Sequence, residues 1–268
     1  MSARPAEPHH GDPAPPHHGD PAGDPHHGDP APPHHGDASG GSRSVVRALE
    51  ALELLAALED PQPLARIAKE LGIPKTSCLG LLRALHAREF VRQDDHGNYG
   101  LGIRSFEVGA AYLRTVSPAE VAVSELRVLT EELGMTSHFA VLDGDSVVYL
   151  AKHDPPGTGP RLASALGARL PAATTAVGRA QMAFTEPGGR VPGLAEVRAR
   201  GCAVDEGETL AGIRCIAAPL FDTRGCCGAV GVSYLSQAGP PAAEVAEAVI
   251  GSARRATAAL GGHWKGAP

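Results

Sequence analysis

The segment LARIAKELGIPKTSCLGLLRAL, residues 64–85, indicates how the N-terminal part of this chain folds. Apolar residues recur at helical spacing on both sides of its centre, where Gly72-Ile73-Pro74 interrupts the pattern. The apolar positions are Leu64, Ile67, Ala68 and Leu71, then Cys78, Leu81, Leu82 and Leu85. Two helices joined by so short a turn must cross steeply, which is typical of a helix-turn-helix whose second helix enters the DNA major groove. The alternative is an ordinary helical hairpin.

The flanking sequence predicts a third helix and a hairpin. Ser44 can cap a helix that runs to about Glu59. Its apolar stripe consists of Val45, Leu49, Leu52, Leu55 and Ala56. After the helix-turn-helix, residues 90–93 and 99–101 read as short strands joined by the turn at residues 94–98. Three helices followed by a β-hairpin predict a winged helix-turn-helix.

The second helix of the motif should present a polar face to DNA. We expect its exposed face to carry Lys75, Thr76, Ser77, Leu79, Gly80 and Arg83. Lys75 and Arg83 are the expected cationic contacts, while the two hydroxyl residues can reach phosphates or base edges. Arg92 and His96 can contact the DNA backbone from the wing. The alternative for each charged residue is that it lies on a helix face exposed to solvent and does not contact DNA.

Charge is distributed unevenly along the 268 residues. The net charge is −6, but residues 1–42 carry −5 and residues 43–114 carry +1. DNA binding would therefore depend on locally placed arginines rather than on bulk attraction. The sequence contains no run of about 18 apolar residues, so we expect no membrane span. Five cysteines without CxxC spacing indicate reduced thiols and a cytoplasmic protein.

The N-terminal 42 residues repeat the motif His-His-Gly-Asp and contain eight of the thirteen histidines. Almost none of these residues can build a core, so the composition predicts disorder. Neutral imidazoles bind nickel, copper or zinc, which makes weak metal binding chemically feasible. The simpler interpretation, which we favour, is a solvated repeat without a specific function, because no ligand geometry is specified.

Beyond the wing, the pattern predicts a linker helix and an α+β domain with a mainly antiparallel sheet. The linker helix has Phe106, Ala110 and Leu113 on one side, and Ser117-Pro118 opens the next helix, which ends at Gly134. Strands are expected at residues 136–142, 147–152, 213–221 and 227–235. Helices are expected at residues 175–185, 194–200 and 242–260.

Three segments resemble the IclR family of bacterial transcription regulators. They are IAKELGIPKTSCLGLLRAL with the following FVRQDDHGNYGLG, RLPAATTAVGRAQMA at residues 169–183, and GCAVDEGETLAGIRCIAAPLFDTRG at residues 201–225. The resemblance covers nearly all of residues 43–262. It implies a winged helix-turn-helix at 43–104, a linker helix at 105–116 and a GAF-like effector-binding domain at 117–262. It also implies homodimers or homotetramers that act as repressors or activators on near-palindromic DNA.

The resemblance also implies a set of effector-binding positions. They map onto Ala176, Val177, Asp205, Cys215, Gly231 and Ser233. Cys215 and Ser233 are the expected polar contacts. Where relatives often carry a hydroxyl, Gly231 has none, and Ala176 and Val177 are apolar. The sequence therefore predicts an apolar recess and an effector less polar than the short hydroxy or keto acids that some relatives bind.

Two residues depart from the family pattern. The family usually has arginine at the position of Gly80, so a DNA contact is lost that Arg83 can replace. Arg179 stands where the family has lysine, which keeps the charge but not the shape.

Enzyme motifs are absent from the sequence: it contains no P-loop, no GxSxG and no HExxH. We therefore expect no catalytic residues, no metal site and no cofactor. The leading hypothesis is a regulator that binds operator DNA and senses a small organic acid. The alternative is a metal- or thiol-responsive sensor that uses the histidine repeat or the cysteines.

Overall fold

A computed structural model describes residues 43–58, 60–115, 118–157, 165–185, 191–237 and 239–266. The N-terminal histidine repeat lies outside these residues, as do Glu59 and Ser117 with their predicted roles at helix ends. The first elements are α1 (Arg43–Ala56), α2 (Leu64–Glu70), α3 (Lys75–Ala87), β1 (Val91–Gln93), β2 (Tyr99–Leu101) and α4 (Ile103–Leu113). The predicted winged helix-turn-helix is therefore confirmed.

The turn between α2 and α3 is stabilised by its backbone. Gly72 has φ +61°, a left-handed conformation that favours glycine, and the N–H of Ile73 donates to the carbonyl of Ala68 at 3.0 Å. The small side chain of Ala68 is buried at this point. The core of the three helices consists of Ala51, Leu55, Ile67, Ala68, Leu71, Cys78, Leu82, Val91 and Tyr99.

Two predictions about α1 are wrong. Ser44 lies inside the helix and does not cap it, since α1 already includes Arg43. Of the predicted apolar stripe, Leu55 is buried and Leu52 is half-buried, whereas Val45, Leu49 and Ala56 are exposed. Periodicity identifies an apolar face of a helix, but it does not tell whether the same chain covers that face.

The wing is fixed at both of its ends. Gln62 and Tyr99 exchange two backbone hydrogen bonds of 2.7 Å, which attach β2 to the segment before α2. At the tip, the Asp94 carboxylate accepts the N–H groups of His96 at 3.0 Å and Asn98 at 2.8 Å. These hydrogen bonds lower the pKa of Asp94, with the Asn98 backbone N–H as the main cause.

The C-terminal elements build one antiparallel sheet flanked by helices on both faces. They are α5 (Pro118–Leu133), β3 (Thr136–Asp143), β4 (Ser146–His153), β5 (Arg169–Pro171), α6 (Ala176–Thr185), α7 (Leu194–Arg200), β6 (Ala203–Asp205), β7 (Ile213–Asp222), β8 (Gly225–Leu235) and α8 (Ala242–Ala259). The strand order is β5-β4-β3-β8-β7-β6, with antiparallel pairing throughout. The four longer strands and the helices are confirmed to within about two residues, the usual uncertainty of such bounds.

The sheet has two apolar cores, one on each face. Residues of α5 and α8 pack on one face around Phe139, Ile216 and Val232. Residues of α6 and α7 pack on the other face around Ala140, Ala217 and Ala229. The edge strands β5 and β6 were not predicted, because three residues are too few to show a period of two.

Candidate functional site

The polar residues that the sequence assigned to the DNA-binding face of α3 lie on its surface. Lys75, Thr76, Ser77, Gly80 and Arg83 are exposed, and Leu79 is half-buried. Within the described residues, neither Lys75 nor Arg83 forms an ion pair. Both cations are therefore available to an anionic partner. In the wing, Arg92 and His96 are also exposed.

Gly80 is not required by packing. A Cβ added to it would meet nothing within 4 Å, in contrast to several buried glycines of this chain. The exposed face of α3 therefore has no side chain at position 80, between Ser77 and Arg83, although there is room for one.

A second candidate site lies where α6 begins. The hydroxyl of Thr175 accepts the N–H of Gly178 at 3.2 Å and donates to the carbonyl of Pro171 at 3.2 Å. Thr175 thus caps α6. The sequence had instead predicted that Thr175 is the first residue of this helix. The N–H groups of Ala176 and Val177 also belong to the first turn, where the helix offers no carbonyl partner.

The backbone is packed closely at this helix start. A Cβ on Gly178 would lie 2.6 Å from the carbonyl carbon of Ala172 and closer still to the carbonyl oxygen. Ala172, Thr175, Ala176 and Val177 are all buried. Glycine at 178 therefore lets the segment before α6 fold back onto the helix.

A cavity of about 30 Å³ opens between this helix start and the sheet. Its wall contains four of the six predicted effector positions, Ala176, Val177, Asp205 and Cys215. The other lining residues are His138, Tyr149, Leu170, Thr175, Thr209, Leu210 and Ile213. Ser233 is not in the wall, but its hydroxyl oxygen lies 3.1 Å from the sulfur of Cys215.

Asp205 holds the loop that covers the cavity. One oxygen of its carboxylate accepts the N–H groups of Gly207 at 2.9 Å, Glu208 at 2.6 Å and Thr209 at 3.4 Å. Leu210, farther along this loop, lines the cavity although the residue is 55% exposed. Arg179 reaches the same loop, since its guanidinium lies 3.6 Å from the carboxylate of Glu208.

Gly231 adds no space to the cavity, although the sequence predicted that it would contribute to an apolar recess together with Ala176 and Val177. A Cβ at Gly231 would lie 2.9 Å from the Cβ of Ala217 and 3.0 Å from Nε2 of His138. The space that a larger side chain would need is thus filled by the imidazole of His138. The wall is mainly apolar, and His138, Tyr149 and Thr175 add a few polar groups to it. A polar residue on the inward face of a predicted strand was the signal that could have identified His138.

Of the five cysteines, Cys78 and Cys202 are buried, and Cys215, Cys226 and Cys227 are half-buried. All five are free. Burial raises the pKa of Cys78 and Cys202, and it raises the pKa of Cys215 to about 11 and those of Cys226 and Cys227 to about 12. A reactive sensor thiol needs a lowered pKa, so these values give no support to a thiol-based sensor.

Metal binding by the described residues has no structural basis either. They contain no group of three or more histidine, cysteine, aspartate or glutamate side chains that could hold a metal ion. The histidine repeat, to which the metal hypothesis referred, lies outside them. Among the described residues, no helix is long and apolar enough to cross a membrane.

Comparison with known proteins gives matches along most of the chain. The model of the IclR helix-turn-helix domain matches residues 44–95. The model of the bacterial transcriptional regulator IclR C-terminal region matches residues 110–190 and 184–255.

Curated relatives agree with these matches. The chain is 32% identical to the transcriptional regulator BhcR of Paracoccus denitrificans over 209 residues, 69% of this chain and 75% of that protein. It is 32% identical to the glycerol operon regulatory protein of Streptomyces coelicolor over 246 residues, 82% of this chain and 96% of that protein.

Solved structures share the fold. An IclR transcriptional regulator from Alicyclobacillus acidocaldarius superposes with a TM-score of 0.68 at 27% identity, covering 82% of this chain and 98% of that one. HmgR of Pseudomonas aeruginosa superposes with a TM-score of 0.68 at 25% identity, covering 83% of this chain and all of that one. With its helix-turn-helix and its C-terminal domain both matched, the chain belongs to the IclR family of bacterial transcriptional regulators, which are DNA-binding proteins and not enzymes.

Proposed function

We propose that this regulator binds a near-palindromic operator as a homodimer, or as a pair of dimers, and that a small organic acid in the α6 cavity changes its affinity for DNA. The observation that carries this proposal is the cavity at the start of α6. It is lined by family effector positions and lies in the same chain as an exposed recognition helix.

The start of α6 is suited to a carboxylate. The first N–H groups of a helix lack intrahelical partners and carry a partial positive charge, so they bind anions. Thr175 uses its hydroxyl on the N–H of Gly178, which leaves those of Ala176 and Val177 as the donors for a ligand. Both residues line the cavity.

The covering loop has to move when an acid binds. Pockets for small molecules typically measure roughly 300–1,000 Å³, whereas this cavity measures about 30 Å³. The side chains of Thr209 and Leu210 come from the loop that Asp205 holds, so they are the part of the wall that a ligand can displace. Ligand binding would thereby alter a segment next to β6 and β7.

Dimer formation is supported by two helices with exposed apolar side chains. None of the eleven residues of α4 is buried, and the first turns of α1 are exposed as well. The exposed large apolar residues are Val45, Val46 and Leu49 on α1, and Ile103, Phe106, Val108, Tyr112 and Leu113 on α4. So many exposed apolar side chains on two helices are typical of an interaction surface, and a second copy of the chain would bring two recognition helices onto one DNA site.

Coupling between the cavity and DNA requires that the ligand favours one dimer geometry. A coupling of about 1–3 kcal/mol would change operator affinity roughly 5- to 150-fold. The linker helix α4 is the expected carrier, because it joins the DNA-binding region to the sheet domain.

The test uses the full chain and a duplex selected from random DNA for tight binding. Operator affinity is measured by fluorescence anisotropy with and without each member of a library of small carboxylates. At least one acid should shift the affinity, and Val177→Phe and Ser233→Ala should each reduce that shift while ligand-free binding stays intact. If both variants respond like the parent chain, the effector binds elsewhere.

A further inference from the structure

The helix α3 ends in a strained backbone conformation. Among the described residues, Glu89 is the only non-glycine residue with a positive φ, at +61°. The N–H of Glu89 donates to the carbonyl of His86 at 2.9 Å, and the N–H of Phe90 donates to the carbonyl of Leu85 at 3.0 Å. This pair of hydrogen bonds forms a Schellman cap, in which the left-handed residue is usually glycine. Strain of this kind is concentrated at positions where function requires a particular geometry.

The linker helix α4 begins at the same point. Its N-cap residue, Gly102, has no side chain that could cap the first turn. The carbonyl of Glu89 instead accepts the N–H of Arg104 at 3.2 Å. The carbonyl of Phe90 accepts the N–H of Gly102 at 2.8 Å and the hydroxyl of Ser105 at 3.0 Å. The residues that end α3 therefore also cap the start of α4.

Gly102 lets the two helix ends approach closely. A Cβ at this position would lie 2.8 Å from the carbonyl carbon of Glu89 and closer still to the carbonyl oxygen. The wing leaves this point as β1 and returns to it as β2, so α3 and α4 are joined directly and not only through the hairpin. Because the contact consists of backbone hydrogen bonds around a buried glycine, it leaves little freedom for α4 to turn against α3.

We propose that this shared cap holds α3 and α4 as one rigid unit and thereby determines which spacing of operator half-sites the dimer accepts. This inference rests on the proposed function, in which two copies of the chain bind a near-palindromic operator. One additional base pair moves a half-site by about 3.4 Å and turns it by roughly 35° around the DNA axis. Two rigid units cannot follow that change, whereas units with a loose joint can.

The experiment measures the spacing preference of the full chain by fluorescence anisotropy. The DNA is a duplex selected from random sequence for tight binding. It is compared with duplexes in which one or two base pairs are inserted at its centre or removed from it, and with a duplex that contains a single half-site. The parent chain should bind the selected spacing about tenfold more tightly, or better, than each duplex changed by one base pair.

Two substitutions loosen the shared cap without changing the residues expected to contact DNA. Gly102→Ala forces the carbonyl of Glu89 away from α4, and Ser105→Ala removes the hydroxyl that donates to Phe90. Both should weaken the spacing preference, to about threefold or less in Gly102→Ala, while affinity for the single half-site stays parental. Ser105→Thr retains the hydroxyl and should keep the parental preference.

Matched controls lie in the C-terminal domain. Gly251→Ala on α8 adds a methyl group that makes only ordinary contacts, and Ser124→Ala on α5 removes an exposed hydroxyl. Neither substitution should change the spacing preference. The single half-site distinguishes a looser joint from a loss of fold, because its binding needs only one intact α3.

Two results with the variants would overturn the inference. If Gly102→Ala and Ser105→Ala keep the parental spacing preference, the shared cap does not set it. If both variants lose affinity for the single half-site as well, the cap only maintains the fold of the DNA-binding region. Ser105→Ala removes one partly buried hydrogen bond, so it should fold and decide the question even if Gly102→Ala does not fold.

Two results with the parent chain would also overturn it. If the parent chain prefers two half-sites to one but binds every spacing equally, the dimer on DNA stands and the rigid joint is refuted. If it binds the single half-site as tightly as the selected duplex, the proposed dimer on DNA fails and the inference fails with it.

Discussion

The helices α3 and α6 each contain a glycine, and the two glycines have opposite surroundings. Gly80 of α3 is exposed, and an added Cβ would meet nothing within 4 Å. Gly178 of α6 is buried, and an added Cβ would overlap the backbone of Ala172. The same residue type therefore leaves room for an external partner in one helix and is required by internal packing in the other.

The contrast extends to the neighbouring residues. Lys75, Thr76 and Ser77 at the start of α3 are exposed, whereas Ala176 and Val177 at the start of α6 are buried. DNA is a large rigid partner that approaches from outside, so its contacts have to lie on the surface. A small ligand is enclosed, so its contacts come from several elements that fold around it. This difference can be tested by substitutions in α3, in α6 and in the cavity wall.

Gly178→Ala should cause the largest loss. We expect the free energy of unfolding to fall by about 3 kcal/mol, because the added methyl group forces the Ala172 backbone away from α6. Chemical denaturation monitored by circular dichroism measures the effect. Gly80→Ala serves as the control, and equal stability of both variants would contradict the close packing at α6.

Burial at the cavity should also make stability depend on pH. The pKa of His138 is lowered to about 4 in the folded chain by burial and by Lys152, so the unfolded chain binds the proton first as pH falls. This contribution is fully present above about pH 6.5 and should decline by on the order of 2–3 kcal/mol as pH falls to about 4. Denaturation curves from pH 7 to pH 4 measure the decline.

The pH effect has a specific control. His138→Asn should flatten the decline, since asparagine does not titrate, while His153→Asn should leave it steep. An unchanged pH dependence in His138→Asn would show that the imidazole is protonated as easily in the folded chain as in the unfolded one.

Arg83→Ala should weaken operator binding by about 1–3 kcal/mol if the guanidinium contacts a base. Lys75→Ala should reduce affinity for all sequences and lower the salt dependence of binding, as expected for a phosphate contact. Folding should be unaffected, because both residues are exposed. Anisotropy titrations at several salt concentrations measure both effects, with Arg127→Ala on α5 as the charge control. If a variant with both substitutions binds the operator as tightly as the parent chain, α3 is not the recognition helix.

Gly80→Ala should have the smallest effect on stability, and it should raise the free energy of unfolding rather than lower it. Alanine stabilises a helix interior by about 0.5–1 kcal/mol relative to glycine, and nothing in the chain obstructs its methyl group. The same variant should bind the operator less tightly if DNA lies close to α3 at position 80. A thermal melt and an anisotropy titration separate the two effects, and a less stable variant would contradict the open surroundings of Gly80.

The N-terminal motif was predictable because its signals are local. The spacing of Ile67, Ala68 and Leu71 and the break at Gly72 specify two short helices and a turn without reference to the rest of the chain. The exposed face of α3 follows from the same periodicity. The interpretation of α1 was less successful, because Ser44 lies inside the helix and Val45 and Leu49 are exposed. The spacing of apolar residues shows neither where a helix begins nor which other element covers its apolar face.

The cavity shows what the sequence could not provide. Resemblance to the family identified Ala176, Val177, Asp205 and Cys215 as positions of interest, but not the residue that fills the space beside Gly231. His138 and Gly231 are 93 positions apart in the sequence and become neighbours only through the pairing of β3 with β8. Cross-strand partners depend on register, and register is set by the packing of the whole sheet.

By itself, the sequence determined the helix-turn-helix, the order of the elements, the antiparallel α+β class and the polar face of α3, because hydrophobic period and turn residues act over a few positions. The sequence does not show which side of each helix is covered, that Gly178 and not Gly80 is held by packing, or that a neutral imidazole with an unpaired nitrogen lines the cavity. Those properties depend on contacts between residues far apart in the chain, where burial and register, rather than local propensity, set the energy of each side chain.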